Sequence, residues 1–353
     1  MTTESFKRNL TAILSDPGGE ESVVGKGRPR LNVSIAIAAY NEETCIADIL
    51  KDVISAKCTD WLWIDKIFVI SDASTDNTDQ IVSEFHNKDE RVRIITKPER
   101  RGKNHSINTA VSIADSDALV LLDADVRLAH ERVLEYLIRP IYESQAILVG
   151  ANVLPVLTGS KSNPARAARY FDYILENERR RRKPVSYWSF YGRALAMSRE
   201  FYRTLELPDD QADDLFIHYT CRGAKQLCAF SCQALVYFEC PTTIHDFVLQ
   251  YSRFAYYLEK ARQQFGVDEV NCDLQVDGMT RFTVVSFLLR PYEGLLWGVC
   301  RLASKVAYKL GYKGGQLRKG LYTTESIRVR VPTRGRRNRE LKNTISGKVA
   351  KNV

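Results

Sequence analysis

The chain has 353 residues, 44% of them hydrophobic, and a formal net charge of +8. This composition is ordinary for a soluble globular protein, and no internal repeat or low-complexity segment occurs. The length exceeds one average domain but could hold one large α/β domain with extensions. Residues 326–353 hold nine Lys or Arg and one Glu, so the excess positive charge belongs to this tail. No uninterrupted apolar run reaches the ~18 residues that a membrane-spanning helix needs.

The N-terminus and the cysteines bear on location. No apolar signal core follows Met1, so we do not expect export. The eight cysteines form no Cys-x-x-Cys pair and show no zinc spacing, and most lie in apolar runs, which is typical of free thiols in a reducing compartment. We therefore expect a cytoplasmic protein that begins with a polar leader over residues 1–30.

Short apolar segments alternate with stretches of helical periodicity in the N-terminal half. The predicted strands are residues 33–39, 64–70, 92–96 and 118–122. This alternation predicts an α/β fold with a mostly parallel, doubly wound sheet. Asn41 follows the first strand, and we expect its side chain to cap the next helix.

Polar side chains stand where the predicted strands end. Asn41 and Asp72 follow the first two strands, Lys103 begins the helix after the third, and Asp123 and Asp125 follow the fourth. Ligands of open α/β sheets bind at this edge. Two carboxylates there can hold a divalent cation, and the cation can hold a diphosphate, although Asp-x-Asp is also common in turns and caps. The glycine-rich loops of dinucleotide enzymes and P-loop NTPases are both absent.

Four motifs together resemble those of family 2 glycosyltransferases with the GT-A fold, over roughly residues 33–260. They are residues 38–43 (Ala-Ala-Tyr-Asn-Glu-Glu), residues 71–78 (Ser-Asp-Ala-Ser-Thr-Asp-Asn-Thr), Gly102-Lys103 with Asn108, and Asp123-Ala124-Asp125. The resemblance implies a Rossmann-like sheet flanked by helices, a nucleotide-sugar donor, a Mn²⁺ or Mg²⁺ ion and inversion at the anomeric carbon.

The same resemblance implies roles for individual residues. Tyr40 and Asp72 would bind the base, Lys103 the ribose–diphosphate region, and Asp123 and Asp125 the ribose–diphosphate and the metal. Further donor contacts are expected from Ala39 and Glu42. The sequence departs from the family pattern at two places, where Ser71 replaces an acid and Ala73 replaces a glycine. These departures bear on which base is bound.

The second half supplies an acceptor side. The segment that contains Gly192 resembles the family's glycine-rich segment, and Asp213-Asp214 matches its Glu-Asp pair. By this resemblance Asp214 is the base that takes the proton of the acceptor hydroxyl, and Asp213 lies on the acceptor side. The negative charge of Asp213 should raise the pKa of Asp214. The alternative is that both carboxylates only stabilise a helix N-terminus.

A third motif follows on a predicted helix. Gln250 and Arg253 with Phe254 resemble the Gln-x-x-Arg-Trp motif of processive members, with Phe in place of Trp. Gln250 and Arg253 lie one helical turn apart and share a face, so Arg253 can clamp the leaving diphosphate. The alternative is an ordinary surface arginine. Single transfer and polymerisation both remain open.

The domain prediction divides the chain into four parts. The leader precedes a catalytic domain over residues 31–265, with a nucleotide-binding half (31–126) and an acceptor half (127–265). Residues 266–322 are predicted to be helical and residues 323–353 to be a basic disordered tail. The helical part carries an apolar stripe flanked by basic residues, which either packs on the core or lies at an anionic membrane surface. The stripe consists of Leu295, Val299, Leu302, Val306 and Leu310.

The sequence therefore predicts a metal-dependent, inverting transferase that moves a sugar from a nucleoside-diphosphate sugar, UDP favoured, to a hydroxyl or phosphate acceptor, either a carbohydrate or lipid-linked. Two alternatives stand beside it. One is a sugar nucleotidylyltransferase, which needs a glycine-rich basic loop that residues 39–42 do not supply. The other is a nonenzymatic nucleotide-sugar-binding scaffold. Nucleic acid is not expected as a partner, because the basic tail has no aromatic residue to stack on bases. The expected location is cytoplasmic, with peripheral attachment to the cytoplasmic face of a membrane as a further option.

Overall fold

A computed structural model describes residues 29–156, 161–181, 186–190, 192–224, 226–274 and 279–312. The described residues from Leu31 onward belong to one compact unit. The predicted leader, apart from its last two residues, and the predicted basic tail lie outside the described residues. The predictions made for them therefore stay predictions.

An eight-stranded mixed sheet forms the centre of the protein, with the strand order β3-β2-β1-β4-β7-β6-β8-β5. Strands β1, β2, β3 and β4 run parallel, as do β6 and β8, whereas β7 is antiparallel to both β4 and β6 and β5 is antiparallel to β8. The predicted α/β class with a mostly parallel sheet is confirmed. The strands are β1 (Leu31–Ala39), β2 (Leu62–Ser71), β3 (Val92–Thr96), β4 (Ala118–Asp123), β5 (Arg127–Leu128), β6 (Leu148–Pro155), β7 (Ala194–Ser198) and β8 (Cys228–Phe238).

Helices flank this sheet, and several more follow it near the C-terminal end of the described chain. The helices are α1 (Ile46–Ile54), α2 (Thr78–His86), α3 (Lys103–Ile113), α4 (Val133–Tyr142), α5 (Asn163–Arg181), α6 (Arg199–Tyr202), α7 (Asp213–Gly223), α8 (Ile244–Phe265), α9 (Val267–Leu274), α10 (Met279–Leu289) and α11 (Pro291–Ala307). A short 3₁₀ turn lies at Tyr187–Ser189, and a π-helical turn at Tyr308–Tyr312 follows α11.

The central strands are apolar on both faces because helices cover both sides of the sheet. Ile35 and Ile37 of β1 face one apolar cluster with α1 and α4, and Ala36 faces a second cluster with α3 and α7. Such continuous burial explains why these strands read as uninterrupted apolar runs rather than as alternating patterns. The buried residues of β1, β2 and β4 contribute to these two clusters.

Strand register brings the predicted motifs together. Ala38 of β1 lies opposite Asp123 of β4, and Ala39 lies opposite Ser71 of β2. The residues that follow these strand ends must therefore lie at one edge of the sheet. The peptide N–H of Asp123 also donates to the carbonyl of Arg193, 3.0 Å away, which places the start of β7 beside the Asp123-x-Asp125 turn.

The prediction that Asn41 caps the first helix is wrong. Helix α1 begins at Ile46 after Cys45, without a side-chain cap, whereas Asn41 has a φ of 54° and its Oδ1 accepts a 2.8 Å bond from the N–H of Thr75. Asn41 thus joins the loops after β1 and β2 instead. Ala73 in the second loop has a φ of 58°, in the left-handed region where glycine is favoured, which explains why a glycine suits this position.

Candidate active site

A cavity of about 360 Å³ opens at the carboxyl edge of the parallel strands. Every residue to which the sequence assigned a site role lines this one cavity. They are Ala39, Tyr40, Glu42, Asp72, Lys103, Asp123, Asp125, Gly192, Asp213, Asp214, Gln250 and Arg253. Their common placement is a structural finding, whereas the role of each residue stays a prediction.

Asp72, the predicted base contact, is only 4% exposed and also holds the loop after β3. Its Oδ1 accepts from the Lys97 ammonium at 3.0 Å and from the N–H of Arg101 at 2.9 Å. Its Oδ2 accepts from the N–H of Gly102 at 2.7 Å. A carboxylate can accept about four hydrogen bonds. Asp72 therefore has room for about one more donor, such as a base N–H.

Tyr40 offers its ring to the cavity, and the Arg100 guanidinium lies 3.6 Å from the ring centroid. Planar guanidinium groups stack on aromatic rings and also on nucleobases. The Nε of Arg100 is buried and has no hydrogen-bond partner within the described chain. The pair therefore forms a flat, cationic surface suited to an aromatic base.

Two cations neutralise the Asp123-x-Asp125 turn. The Lys103 ammonium lies 2.6 Å from Asp123, 2.8 Å from Asp213 and 3.1 Å from the carbonyl oxygen of Gly192. Burial acts to lower the pKa of Lys103, but the charges of Asp123 and Asp213 outweigh it and raise that pKa. All three ammonium protons are used in this arrangement. To contact a phosphate, as the sequence predicts, Lys103 must exchange one of these partners.

Arg193 pairs with the second carboxylate of the turn. One guanidinium nitrogen lies 3.1 Å and 2.9 Å from the two oxygens of Asp125, and the guanidinium carbon lies 4.3 Å from the centroid of the Phe238 ring. In the described part of the chain, no group of three or more His, Cys, Asp or Glu could hold a metal ion. Two carboxylates, with phosphate and water oxygens, nevertheless fit Mg²⁺ or Mn²⁺, which commonly take one or two protein carboxylates beside a substrate phosphate.

Asp214 lies in the first turn of α7 and lines the same cavity. Its Oδ2 accepts from the Tyr187 hydroxyl at 3.0 Å and from the N–H of Gly192 at 3.3 Å, and its Oδ1 accepts from the N–H of Leu215 at 2.8 Å. Burial first and the negative charge of Asp213 second raise the pKa of Asp214 to about 6, although these hydrogen bonds and Lys103 favour the charged form. A carboxylate with such a pKa can take a proton near neutral pH.

A buried network holds Tyr187 in position. Asp273 of α9 accepts from the N–H of Tyr187 at 3.0 Å, from the His218 ring at 2.9 Å and from Arg222 at 2.8 Å. Burial alone would raise the pKa of Asp273, but the hydrogen bond from His218 and the nearby Arg222 lower it. Asp273 and its ion pair with Arg222 therefore hold the backbone of Tyr187 in position. This in turn positions the Tyr187 hydroxyl that donates to Asp214.

Gly192 is required beside Asp214, and its replacement is our first prediction. A Cβ at this position would lie 2.9 Å from the Cβ of Asp214 and 3.2 Å from a carboxylate oxygen of Asp213. We expect Gly192→Ala to displace the first turn of α7, to lower transfer sharply and to destabilise the protein by about 1–3 kcal/mol, the usual cost of overpacking. Initial rates with a cognate donor and thermal unfolding measure both effects.

Gly223 at the end of the same helix provides the control. A Cβ there meets nothing within 4 Å, so Gly223→Ala should keep the wild-type rate and raise stability by about 0.5–1 kcal/mol. Equal effects of the two substitutions on transfer would show that the close approach of Gly192 to Asp214 has no functional consequence.

Helix α8 also contributes side chains to the cavity lining. Arg253 lies in the cavity wall, and the described chain pairs it with no carboxylate. Several polar atoms of cavity residues are buried and have no hydrogen-bond partner within the described chain, which is unusual in a folded protein unless a ligand or water supplies one. These atoms are Gln250 Oε1, Gln211 Oε1, Trp188 Nε1 and Arg100 Nε.

The sequence prediction missed three residues that stand out in the cavity. Arg193 contacts Asp125, Tyr187 contacts Asp214, and Arg301 of α11 reaches the cavity from the C-terminal helices. Arg193 directly follows Gly192, so the motif had placed it near the site without a role. Tyr187 begins the same predicted segment, residues 187–197, and likewise had no assigned role. Arg301 belongs to no predicted motif, and only tertiary packing brings it to the cavity.

Comparison with known proteins gives a family and a fold. Residues 34–205 match the family model described as Glycosyl transferase family 2. The probable glycosyltransferase YdaM of Bacillus subtilis (strain 168) is 34% identical over 127 residues, which is 34% of this chain and 28% of the relative. Dolichyl-phosphate beta-glucosyltransferase ALG5D of Trichomonas vaginalis is 26% identical over 137 residues, 36% of this chain and 41% of the relative.

Beta-monoglucosyldiacylglycerol synthase of Nostoc sp. is 25% identical over 134 residues, 37% of this chain and 27% of the relative. The chain thus matches less than half the length of these curated relatives. Among solved structures, mannosyltransferase PcManGT from Pyrobaculum calidifontis, in complex with GDP-Man and Mn²⁺, aligns with a TM-score of 0.57 at 16% identity. The alignment covers 88% of this chain and 95% of that protein, and it shows a shared GT-A fold.

Proposed function

We propose, from the premise that residues 34–205 are a family 2 glycosyltransferase domain, that this chain transfers a sugar with inversion from a nucleoside-diphosphate sugar to a hydroxyl or phosphate acceptor. The observation that carries the proposal is the position of Asp214. It is a half-buried carboxylate with a raised pKa, and it lines the same cavity as the Asp123-x-Asp125 turn.

The proposed reaction uses groups that line this one cavity. The acceptor oxygen gives its proton to Asp214 and forms a bond to the anomeric carbon, while the bond from that carbon to the diphosphate oxygen breaks and the electron pair leaves with the diphosphate. Arg253 and Arg193 supply positive charge where the leaving group becomes more negative. Tyr187 and Gly192 orient the base through their hydrogen bonds.

A divalent cation fits the same site. Asp125 and Asp123 would hold Mn²⁺ or Mg²⁺, and the ion when bound would neutralise charge on the diphosphate. Arg193 then has a second use, because a guanidinium released from Asp125 can pair with a phosphate in a bidentate manner. The mannosyltransferase from Pyrobaculum calidifontis, which shares the fold, was solved in complex with Mn²⁺, and this supports the choice of metal.

We further propose a UDP-sugar as donor and a carbohydrate or lipid-linked acceptor, with the protein in the cytoplasm and attached peripherally to the cytoplasmic face of a membrane. Two of the matched relatives are named for lipids, dolichyl-phosphate in one and monoglucosyldiacylglycerol in the other, which supports a lipid-linked acceptor. All eight cysteines are free thiols, which suits a reducing compartment.

Calorimetric titration tests the donor side, and it is our second prediction. We expect UDP to bind more tightly than GDP or CDP, and only when Mn²⁺ or Mg²⁺ is present. Equal UDP binding in EDTA would count against Asp125 as a metal ligand. Incubation with a panel of nucleotide sugars and Mn²⁺ should then release nucleoside diphosphate slowly. Release of pyrophosphate would instead indicate a nucleotidylyltransferase, and binding without turnover a scaffold.

A further inference from the structure

The C-terminal helices α10 and α11 leave a large apolar surface uncovered. The structure describes sixteen exposed large hydrophobic side chains, and eleven of them lie on these two helices and the turn that follows, each 44–82% exposed. Contiguous patches of this kind are rare on monomeric proteins without a partner. The C-terminal apolar face consists of Val284, Val285, Phe287, Leu288, Leu289, Tyr292, Leu295, Val299, Leu302, Val306 and Leu310.

This face is not a poorly packed part of the core, because the opposite side of α11 is well anchored. Trp297 stacks on Phe171 with ring centroids 5.8 Å apart, and Cys300 and Ser304 are buried. Ser304 also accepts a bond from the Ser252 hydroxyl of α8. The sequence left open whether the stripe from Leu295 to Leu310 packs on the core. In the structure the opposite side of α11 packs on the core, and the stripe is exposed.

Charge favours one kind of partner. Residues 279–312 contain five Lys or Arg and a single acidic residue, Glu293. Glu293 pairs with Arg166 at 2.8 Å, whereas Lys305 and Lys309 are exposed beside the apolar stripe. The sequence that follows adds nine more cations against one acid within residues 326–353. An apolar surface with a basic edge complements a membrane surface that contains anionic lipid.

We infer that the C-terminal apolar face lies in the interface of an anionic membrane, with Lys305 and Lys309 at the level of the lipid headgroups. No helix in the described ranges is long and apolar enough to cross a membrane. In the proposed contact, α10 and α11 lie along the membrane surface. Apolar side chains enter the acyl boundary, and lysine ammonium groups reach the headgroups on their long stems.

Helix α11 connects this surface with the cavity. Arg301 lines the cavity and lies 5.9 Å from the Phe171 ring, while its neighbour Leu302 belongs to the apolar face. The cavity therefore shares a helix with the membrane contact. This part rests on the proposed function: an acceptor held in the membrane by a lipid chain would meet the cavity on the Arg301 side, where a guanidinium can bind its phosphate.

A second copy of the chain fits this face less well. In a two-fold dimer the same patch meets itself, so both sides of the contact would carry Lys305 and Lys309. That arrangement would leave an excess of positive charge on both sides of the contact. A lipid surface instead supplies the missing negative charge.

Flotation of the full-length protein with vesicles tests the inference, and it is our third prediction. The protein should float with phosphatidylcholine vesicles that contain phosphatidylglycerol, less at high salt, and not with phosphatidylcholine alone. Leu302→Glu should reduce binding at least about tenfold, since it removes one inserted leucine and adds a repelled charge. Leu227→Glu is the matched control, because Leu227 is 64% exposed and Leu302 63%, and it should float like wild type.

Charge reversal and oligomeric state complete the test. Lys305→Glu with Lys309→Glu should weaken flotation, whereas Lys51→Glu with Lys66→Glu, at exposed sites outside α10 and α11, should not. Calorimetric UDP binding without vesicles should be unchanged in all of these variants, which separates failure of membrane binding from failure of the proposed function. Flotation of Leu302→Glu equal to wild type overturns the inference. So does a protein that stays unbound at low salt, or a dimer that only Leu302→Glu dissociates.

Discussion

Replacement of Asp214 by Asn should reduce sugar transfer by at least about 10²–10⁴-fold, while UDP affinity stays close to wild type. Asn keeps the shape of the side chain, but it cannot take the acceptor proton. Tyr187 and Leu215 donate to different oxygens of Asp214, so the single amide oxygen of Asn can accept only one of these two bonds. Steady-state rates and calorimetric titration of the same variant separate the two effects. This is our fourth prediction, and wild-type turnover in the variant would reject Asp214 as the base.

An aspartate in the first turn of another helix provides the control. Asp246 lies in the first turn of α8, is buried, and bonds to Thr243, but it does not line the cavity. Asp246→Asn should therefore leave the transfer rate unchanged. A comparable loss in both variants would indicate a general effect on folding, which thermal unfolding would reveal.

The pH dependence follows from the same residue. The base must be ionised, so the rate should rise with pH through an apparent pKa of about 6 and level off above it. Because the charge of Asp213 helps to raise that pKa, Asp213→Asn should move the rising limb to lower pH. The two carboxylates interact, so the measured value belongs to the pair. A limb that does not move would show that Asp213 has little influence on the base.

Replacement of Asp125 by Asn should remove both transfer and the gain in UDP affinity that a divalent cation provides, and this is our fifth prediction. A neutral amide is a weak ligand for a hard cation. In the absence of metal, neither the variant nor wild type should bind UDP measurably. Titrations with and without Mn²⁺ measure the difference.

Asp89 is a close match for Asp125 away from the cavity. The side chains are 16% and 17% exposed, and each pairs with an arginine, at 2.6 Å for Asp89 and 2.9 Å for Asp125. Asp89→Asn should therefore reproduce the loss of an ion pair without any change in metal-dependent binding. If Asp125→Asn retains the metal effect, the ion is held elsewhere and the assigned role of this turn is wrong.

The structure also changes how one of the sequence predictions, the role of Lys103, should be understood. Lys103 was assigned to the diphosphate by resemblance, yet its ammonium is fully engaged with Asp123, Asp213 and a backbone carbonyl. Arg193, to which the sequence assigned no role, has a guanidinium on Asp125. The position of a cation in a motif therefore does not show whether that cation is free to bind a phosphate. Its freedom depends on which carboxylates from other parts of the chain lie beside it.

Local sequence determined the alternation of strands and helices and the residues at which β1, β2 and β4 end. A strand that is buried on both faces requires an uninterrupted apolar run, so the first polar residues, including the aspartates, mark its end. The predicted strand 92–96 has the bounds of β3. Asn41 failed as a cap because its side chain found a partner in Thr75, 34 residues away in the chain. Such a contact has no local signature.

Tertiary structure alone decided the remainder of the site and the outward direction of the C-terminal stripe. Tyr187 reaches Asp214 only because Asp273 of α9 holds its backbone, and Arg301 reaches the cavity only because Trp297 packs on Phe171. The periodicity of residues 295–310 predicted an amphipathic helix, but periodicity is the same whether the apolar side meets a core or a membrane. Which side is covered depends on how the aromatic residues of α5 and α8 fill the space beneath α11, and this is a property of packing between distant segments.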